Sequence, residues 1–310
     1  MMAFQRHFMR CAQRAVFGFL ILLVGILAAE ERHPGKILVV TAASGDYIIG
    51  AGGTLARFAL EGYDVHIAQF GNDEKDSAGL SPPETRLANV REARAAGEYL
   101  GVKDTVSMDH KSGETGHTSS TEMRKQLFAL IRHLRPKKIF IPDGYAHFLG
   151  DWDQYYVGRM AEEAWGYSGG ATFANELERM GLKPYSVPEV YYYTVGRPYR
   201  PREGGEQNAK LMAVDIGSVM ETKVRAIQLL HTRNWLRAIE TRARLQAAGK
   251  PLGGLELLDD GAVKELARAW GEELGQAIGA KHGFAYGEEF NYVGPGEDLP
   301  PHVMKRAVPK

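Results

Sequence analysis

The chain has 310 residues, 44% hydrophobic and 25% charged, which suits one sizeable buried core and excludes a disordered polypeptide. Its 38 basic residues equal its 38 acidic ones, and removal of three leader arginines leaves 38 − 3 = 35 against 38, a net −3 with no electrostatic footprint for nucleic acid. The single cysteine, Cys11, falls inside the leader, so the mature chain is expected to have no disulfide, thiolate ligand or cysteine nucleophile.

Arg6, Arg10 and Arg14 precede an uninterrupted apolar run of 15 residues, Ala15 to Ala29, and Ala28-Ala29 before Glu30 offers a cleavage site. A spanning helix needs roughly 20 apolar residues, so residues 1–29 read as a signal peptide, with an uncleaved N-terminal anchor as the alternative. An exported protein, periplasmic or secreted, is expected, touching a membrane only through this segment. Residues 30–293 form the domain and 294–310 a Pro-containing tail.

Lys36 to Thr41 (KILVVT) is a first strand, Gly52 to Leu60 a helix, Asp64 to Phe70 a second strand and Pro83 to Leu100 a second helix. Thr105 to Met108, Thr121 to Leu134 and Lys138 to Pro142 (KIFIP) continue as strand, helix and strand. A helix from Trp152 to Trp165, a glycine-rich surface segment at Gly166 to Gly170, strands at Val190 to Thr194 and Leu211 to Asp215, and helices at Val219 to Leu230 and Gly261 to Gly279 follow. Gly196 to Gln207 reads as an exposed loop. The alternation predicts an α/β, Rossmann-like, mostly parallel sheet flanked by helices.

Ligands of such sheets sit at the carboxyl ends of the strands, which directs attention to the loops after Thr41, Phe70 and Pro142. Gly52-Gly53 permits close backbone approach at a helix N-terminus, a seat for an anion. A nucleotide reading fails on spacing, because these glycines fall too far past the strand. Asp143, His147, Asp151 and Asp153 crowd one loop, which by itself reads as turn chemistry and helix capping before a metal site.

Gly52-Gly53-Thr54-Leu55-Ala56 behind the first strand, and Asp151-Trp152-Asp153-Gln154 followed by Val157-Gly158-Arg159, resemble the two motif regions of the PIG-L/LmbE zinc-dependent de-N-acetylases. Arg91-Glu92, Leu100-Gly101-Val102, Val190 to Tyr193, Val214-Asp215-Ile216, Lys223, His231 and Tyr286 to Phe290 extend the resemblance over roughly Lys36 to Phe290. It implies a Rossmann-like fold, a zinc ion and hydrolysis of an N-acetyl amino sugar.

The resemblance breaks at the chemical positions. The family's first metal His falls on Ala43, its base Asp on Gly45, its metal Asp on Asp46 and its last metal His on Gln154, while the His given an acid role falls on Asp151. Zinc takes about three protein ligands plus an open position, and one carboxylate is not that set. The cofactor expectation is therefore none, or a weakly held divalent metal, zinc if the site functions.

Three readings follow. The first is a non-catalytic or weakly active relative binding an amino-sugar-type carbohydrate, with Arg91, Tyr47, Gly52, Gly53 and His231 as ligand-side candidates. The second is an active de-N-acetylase with a substitute shell of Asp46, His147 and one of Asp143, Asp151 or Asp153, with Gln154 as a neutral oxygen donor. The third is a structural protein of the export compartment. Arg91 also reads as a solvated helix charge, His231 as a helix-terminus cation, and Tyr47 as a phenol that either plugs the zinc position or points away. Tyr191 and Tyr193 share a strand face and read as core; with Tyr192 and Tyr199 they are otherwise an aromatic platform.

Overall fold

A computed structural model describes residues 33–144, 152–200, 211–297 and 299–306. Leader, Cys11, His147 and Asp151 lie outside them, as do residues 201–207 of the expected loop.

Strand β1 (Lys36–Thr41) is covered on both faces, with Ile37, Leu38, Val39 and Val40 all buried, which explains its unbroken apolar run. Alternation sends Ile37 and Val39 into one core, with Phe140, Tyr191 and Tyr193, and Leu38 and Val40 into a second, with Ile139, Ile141 and Tyr192. Helices α1 (Asp46–Leu60), α2 (Pro82–Leu100), α6 (Met220–Leu229) and α8 (Asp260–His282) cover the first face. Helices α3 (Ser120–Leu134) and α4 (Trp152–Tyr167) cover the second.

With β2 (Asp64–Gly71), β3 (Val102–His110), β4 (Lys138–Pro142), β5 (Glu189–Tyr193), β6 (Leu211–Asp215) and β7 (Gly287–Val293), the sheet order is β3-β2-β1-β4-β5-β7-β6. Neighbours pair in parallel from β3 through β5, and β7 runs antiparallel to both β5 and β6. This is the expected α/β architecture. The strand order reverses between β1 and β4, and a crevice opens at such a switch point where the outgoing loops diverge.

Several boundaries differ from the sequence reading. Helix α1 starts at Asp46, not Gly52, because its glycines serve close packing: a Cβ on Gly50 would lie 2.6 Å from the Tyr193 ring, and one on Gly53 2.8 Å from Ile216. Helix α2 gains a residue because Ser81 and Glu84 form a capping box, with Glu84 Oε2 accepting from Ser81 N–H at 2.9 Å. Strand β7 and helix α7 (His231–Ala247) were not anticipated, nor were the short helices α5 (Asn175–Arg179) and α9 (Pro301–Met304), the last within the expected tail.

Candidate functional site

The switch-point crevice is a cleft of about 760 Å³. The first loop contributes Ala43 and Asp46, α4 contributes Trp152, Asp153 and Gln154, and α7 and α8 supply much of the remaining wall.

Asp46 begins α1 and is 1% exposed. Its Oδ1 accepts from Arg233 Nη2 at 3.0 Å, and Arg237 Nη2 lies 4.0 Å from the same oxygen. Oδ2 has no hydrogen-bond partner among the described residues. Arg233 also faces Asp76 Oδ2, 3.4 Å from Nε. A buried charge demands a counter-charge, and for the surviving metal-type carboxylate that counter-charge is a guanidinium.

Helix α7 brings the guanidinium here through one family-like residue. Glu92 on α2 accepts from Thr232 N–H (2.8 Å) and Thr232 Oγ1–H (2.7 Å), satisfying first-turn donors of α7 and fixing its entry. Its neighbour Arg91 is exposed and lies outside the cleft lining, so the substrate-side expectation for Arg91 is corrected to a solvated charge.

Gly45 is walled in. A Cβ there would sit 2.9 Å from Leu230 Cδ1 and 3.3 Å from Arg233 Nη1, so an acidic side chain at the family's base position enters only if Leu230 shifts. Ala43 has no ligating atom. Among the described residues no group of three His, Cys, Asp or Glu side chains converges to hold a metal. With Asp46 paired to a cation and Gln154 offering an amide, this donor set does not fit a zinc ion.

The other candidates fall in different places. Asp153 is committed to the facing loop, its Oδ1 accepting from Thr115 Oγ1–H at 2.6 Å and its Oδ2 from Gly113 N–H at 2.5 Å. Asp143 accepts from Tyr199 O–H at 2.7 Å, which makes Tyr199 a partly buried latch rather than an open platform. Tyr191 and Tyr193 are buried, and Tyr193 O–H donates to Val40 O at 2.9 Å.

Tyr47 is buried in the core, its hydroxyl close to Gly97 of α2, so it points away from the first loop and does not plug the cleft. His231 is a correction too: it is exposed, pairs with Asp260 at 3.1 Å and does not line the cleft. Gly52-Gly53 is the third. The Gly53 and Thr54 N–H groups donate to Glu288 Oε1 (2.9 Å) and Oε2 (2.7 Å), so the anion at this turn is the chain's own carboxylate. Lys223 neutralises it at 2.7 Å, with 0% and 1% of the two side chains exposed.

The residues missed were Arg233, Arg237, Trp270 and Asp73. For α7 the signal was present: Trp235, Ala238 and Ile239 mark one face, and Arg233, Arg237, Thr241 and Arg244 another at helical spacing. Asp73 follows β2, is buried, and accepts from Ser44 N–H (3.1 Å) and Gln69 Nε2–H (3.0 Å) through Oδ2.

Burial raises the Asp73 pKa from the ordinary 3.8 to about 6, against the pull of Arg233. The folded state therefore holds this proton to higher pH than the unfolded state does. Stability falls as pH rises from about 4 to about 6, and the full penalty applies above that. Asp73→Asn should remove roughly 3 kcal/mol of this pH dependence, read as a flatter curve of urea midpoint between about pH 4 and pH 7.5. An unchanged curve would assign the dependence to other groups.

Residues 38–165 match the family model described as PIG-L: GlcNAc-PI de-N-acetylase. The chain carries a PIG-L-like domain over these residues. It is 29% identical to a diacetylchitobiose deacetylase of Thermococcus kodakarensis over 62% of this chain and 68% of that protein. It is 26% identical to a 4-oxalmesaconate hydratase of Pseudomonas putida over 67% of this chain and 78% of that one. Among solved structures it shares the fold of the N,N'-diacetylchitobiose deacetylase of Pyrococcus horikoshii, with a TM-score of 0.67 at 23% identity, covering 87% and 88% of the two chains. A deacetylase and a hydratase both appear among these relatives, so the particular chemistry of a PIG-L/LmbE-like chain is a property of its site.

Proposed function

We propose that this PIG-L/LmbE-like protein is a non-catalytic relative of the de-N-acetylases that binds an amino-sugar-type carbohydrate in the switch-point cleft. The observation that carries the reading is the Arg233–Asp46 pair: the one metal-type carboxylate left in the first motif is neutralised by a guanidinium at 3.0 Å. Leu230 against Gly45 adds to it, because no side chain stands ready to activate water at the base position.

Binding is supported by the cleft itself. It is large enough for a saccharide, and two tryptophans, Trp152 and Trp270, line it, the former 59% exposed. Indole faces suit the apolar faces of sugar rings. The resemblance to a diacetylchitobiose deacetylase supplies the sugar class. Export belongs to the same reading and rests on the leader pattern; amino-terminal sequencing of the released chain checks it.

The test is metal content and turnover together. After zinc loading and dialysis, the purified chain is expected to retain no stoichiometric zinc and to leave diacetylchitobiose unhydrolysed. Stoichiometric zinc that is lost in Asp46→Ala, or hydrolysis that disappears with it, would overturn the proposal and favour a substitute shell that includes His147.

A further inference from the structure

The floor and one wall of the cleft carry more cationic organisation than a neutral sugar requires. Arg233 and Arg237, one helical turn apart on α7, direct their Nη2 atoms to the same Asp46 oxygen, at 3.0 and 4.0 Å. The Arg237 guanidinium carbon lies 5.2 Å from the centre of the Trp270 ring on α8. Arg244 continues the stripe two turns further and lines the outer cleft.

Among the described residues, the acids near these cations have places of their own. Asp46 and Asp76 face Arg233, and Asp153 is bound to the Gly113–Thr115 loop. Lys75 pairs with Glu114 at 3.2 Å. Glu240 and Glu273 also line the cleft, but both are exposed residues of its rim, whereas the Arg237 side chain is 26% exposed. Among the described residues, the deep part of the cleft carries these guanidinium groups, and Glu240 and Glu273 sit toward solvent.

Stacking engages the face of a guanidinium and an oxyanion takes its edge, so Trp270 and a carboxylate can use Arg237 together. An indole wall beside such an edge also lowers the local dielectric and strengthens a charge-assisted hydrogen bond. We infer that the ligand is an acidic saccharide, its carboxylate held by Arg237 in the deep cleft above the Arg233–Asp46 pair, with its next unit extending toward Arg244. This rests on the carbohydrate-binding reading and adds the ligand's charge and its polarity in the cleft.

The test is calorimetric titration of the full chain with three probes at low and high salt. The probes are neutral diacetylchitobiose, a disaccharide of N-acetylglucosamine and glucuronate, and inorganic phosphate. The acidic disaccharide should bind about tenfold more tightly than the neutral one at low salt, with the gap shrinking at high salt. Arg237→Gln should erase that gap, the acidic disaccharide losing about tenfold more affinity than the neutral one. Arg244→Gln, at an exposed position, should reduce the gap without affecting the fold, so the proposal stays testable if the Arg237 variant misfolds.

Equal affinity for both disaccharides would overturn this inference and leave carbohydrate binding standing. Phosphate bound as tightly as the acidic disaccharide would also overturn it, as an anion site indifferent to sugar. Binding of none of the probes would overturn both readings.

Discussion

Arg233→Leu is expected to destabilise the fold by on the order of 3–5 kcal/mol, because it leaves Asp46 ionised and buried without its counter-charge. The loss should be read as a lower urea midpoint with an unchanged slope. Asp46→Asn in the same chain should recover a substantial part, since a neutral amide in that place no longer demands a cation. A double-mutant coupling above about 1 kcal/mol identifies the pair as the interaction removed. Strictly additive losses would mean that Arg233 acts through packing alone. The Leu variant is still expected to hold no zinc, since removing the guanidinium supplies no imidazole at Ala43 or Gln154.

Glu288→Ala should be at least as damaging, and its effect lies in the fold. One carboxylate serves three donors: the Gly53 and Thr54 amides and the Lys223 ammonium. Alanine would leave a buried cation unpaired and take a charged acceptor from two helix N–H groups, a cost of about 3–5 kcal/mol for the ion pair alone. For a domain of this size that corresponds to a melting temperature lower by roughly 10 °C or more. Pairing Glu288→Gln with Lys223→Met keeps an acceptor for the amides and removes the stranded charge, so it should melt well above the alanine variant. If the two melt together, the ion pair is not what the turn depends on.

Both carboxylates are held by partners far away along the chain, which local sequence patterns do not encode. The repeating βαβ pattern and the apolar runs of β1 and β4 were legible, because strand period and unbroken burial leave their mark within a few residues. Glycines at 50, 52 and 53 misled the reading of α1, since glycine marks both a loop and a close helix contact. The same glycines pointed to an anion, and an anion is there; it is Glu288, 235 residues from Gly53 along the chain.

The sequence by itself determined the α/β architecture, the absence of side-chain donors at Ala43 and Gly45, and the resemblance to a family whose zinc chemistry those donors would carry. Only the tertiary structure decided what became of the carboxylate left behind. Arg233 stands 187 residues from Asp46, on a helix whose start is set by Glu92 of α2. No local propensity encodes that meeting. It is imposed by the cost of a lone buried charge, and that cost exists only once the folded chain has excluded water from both partners.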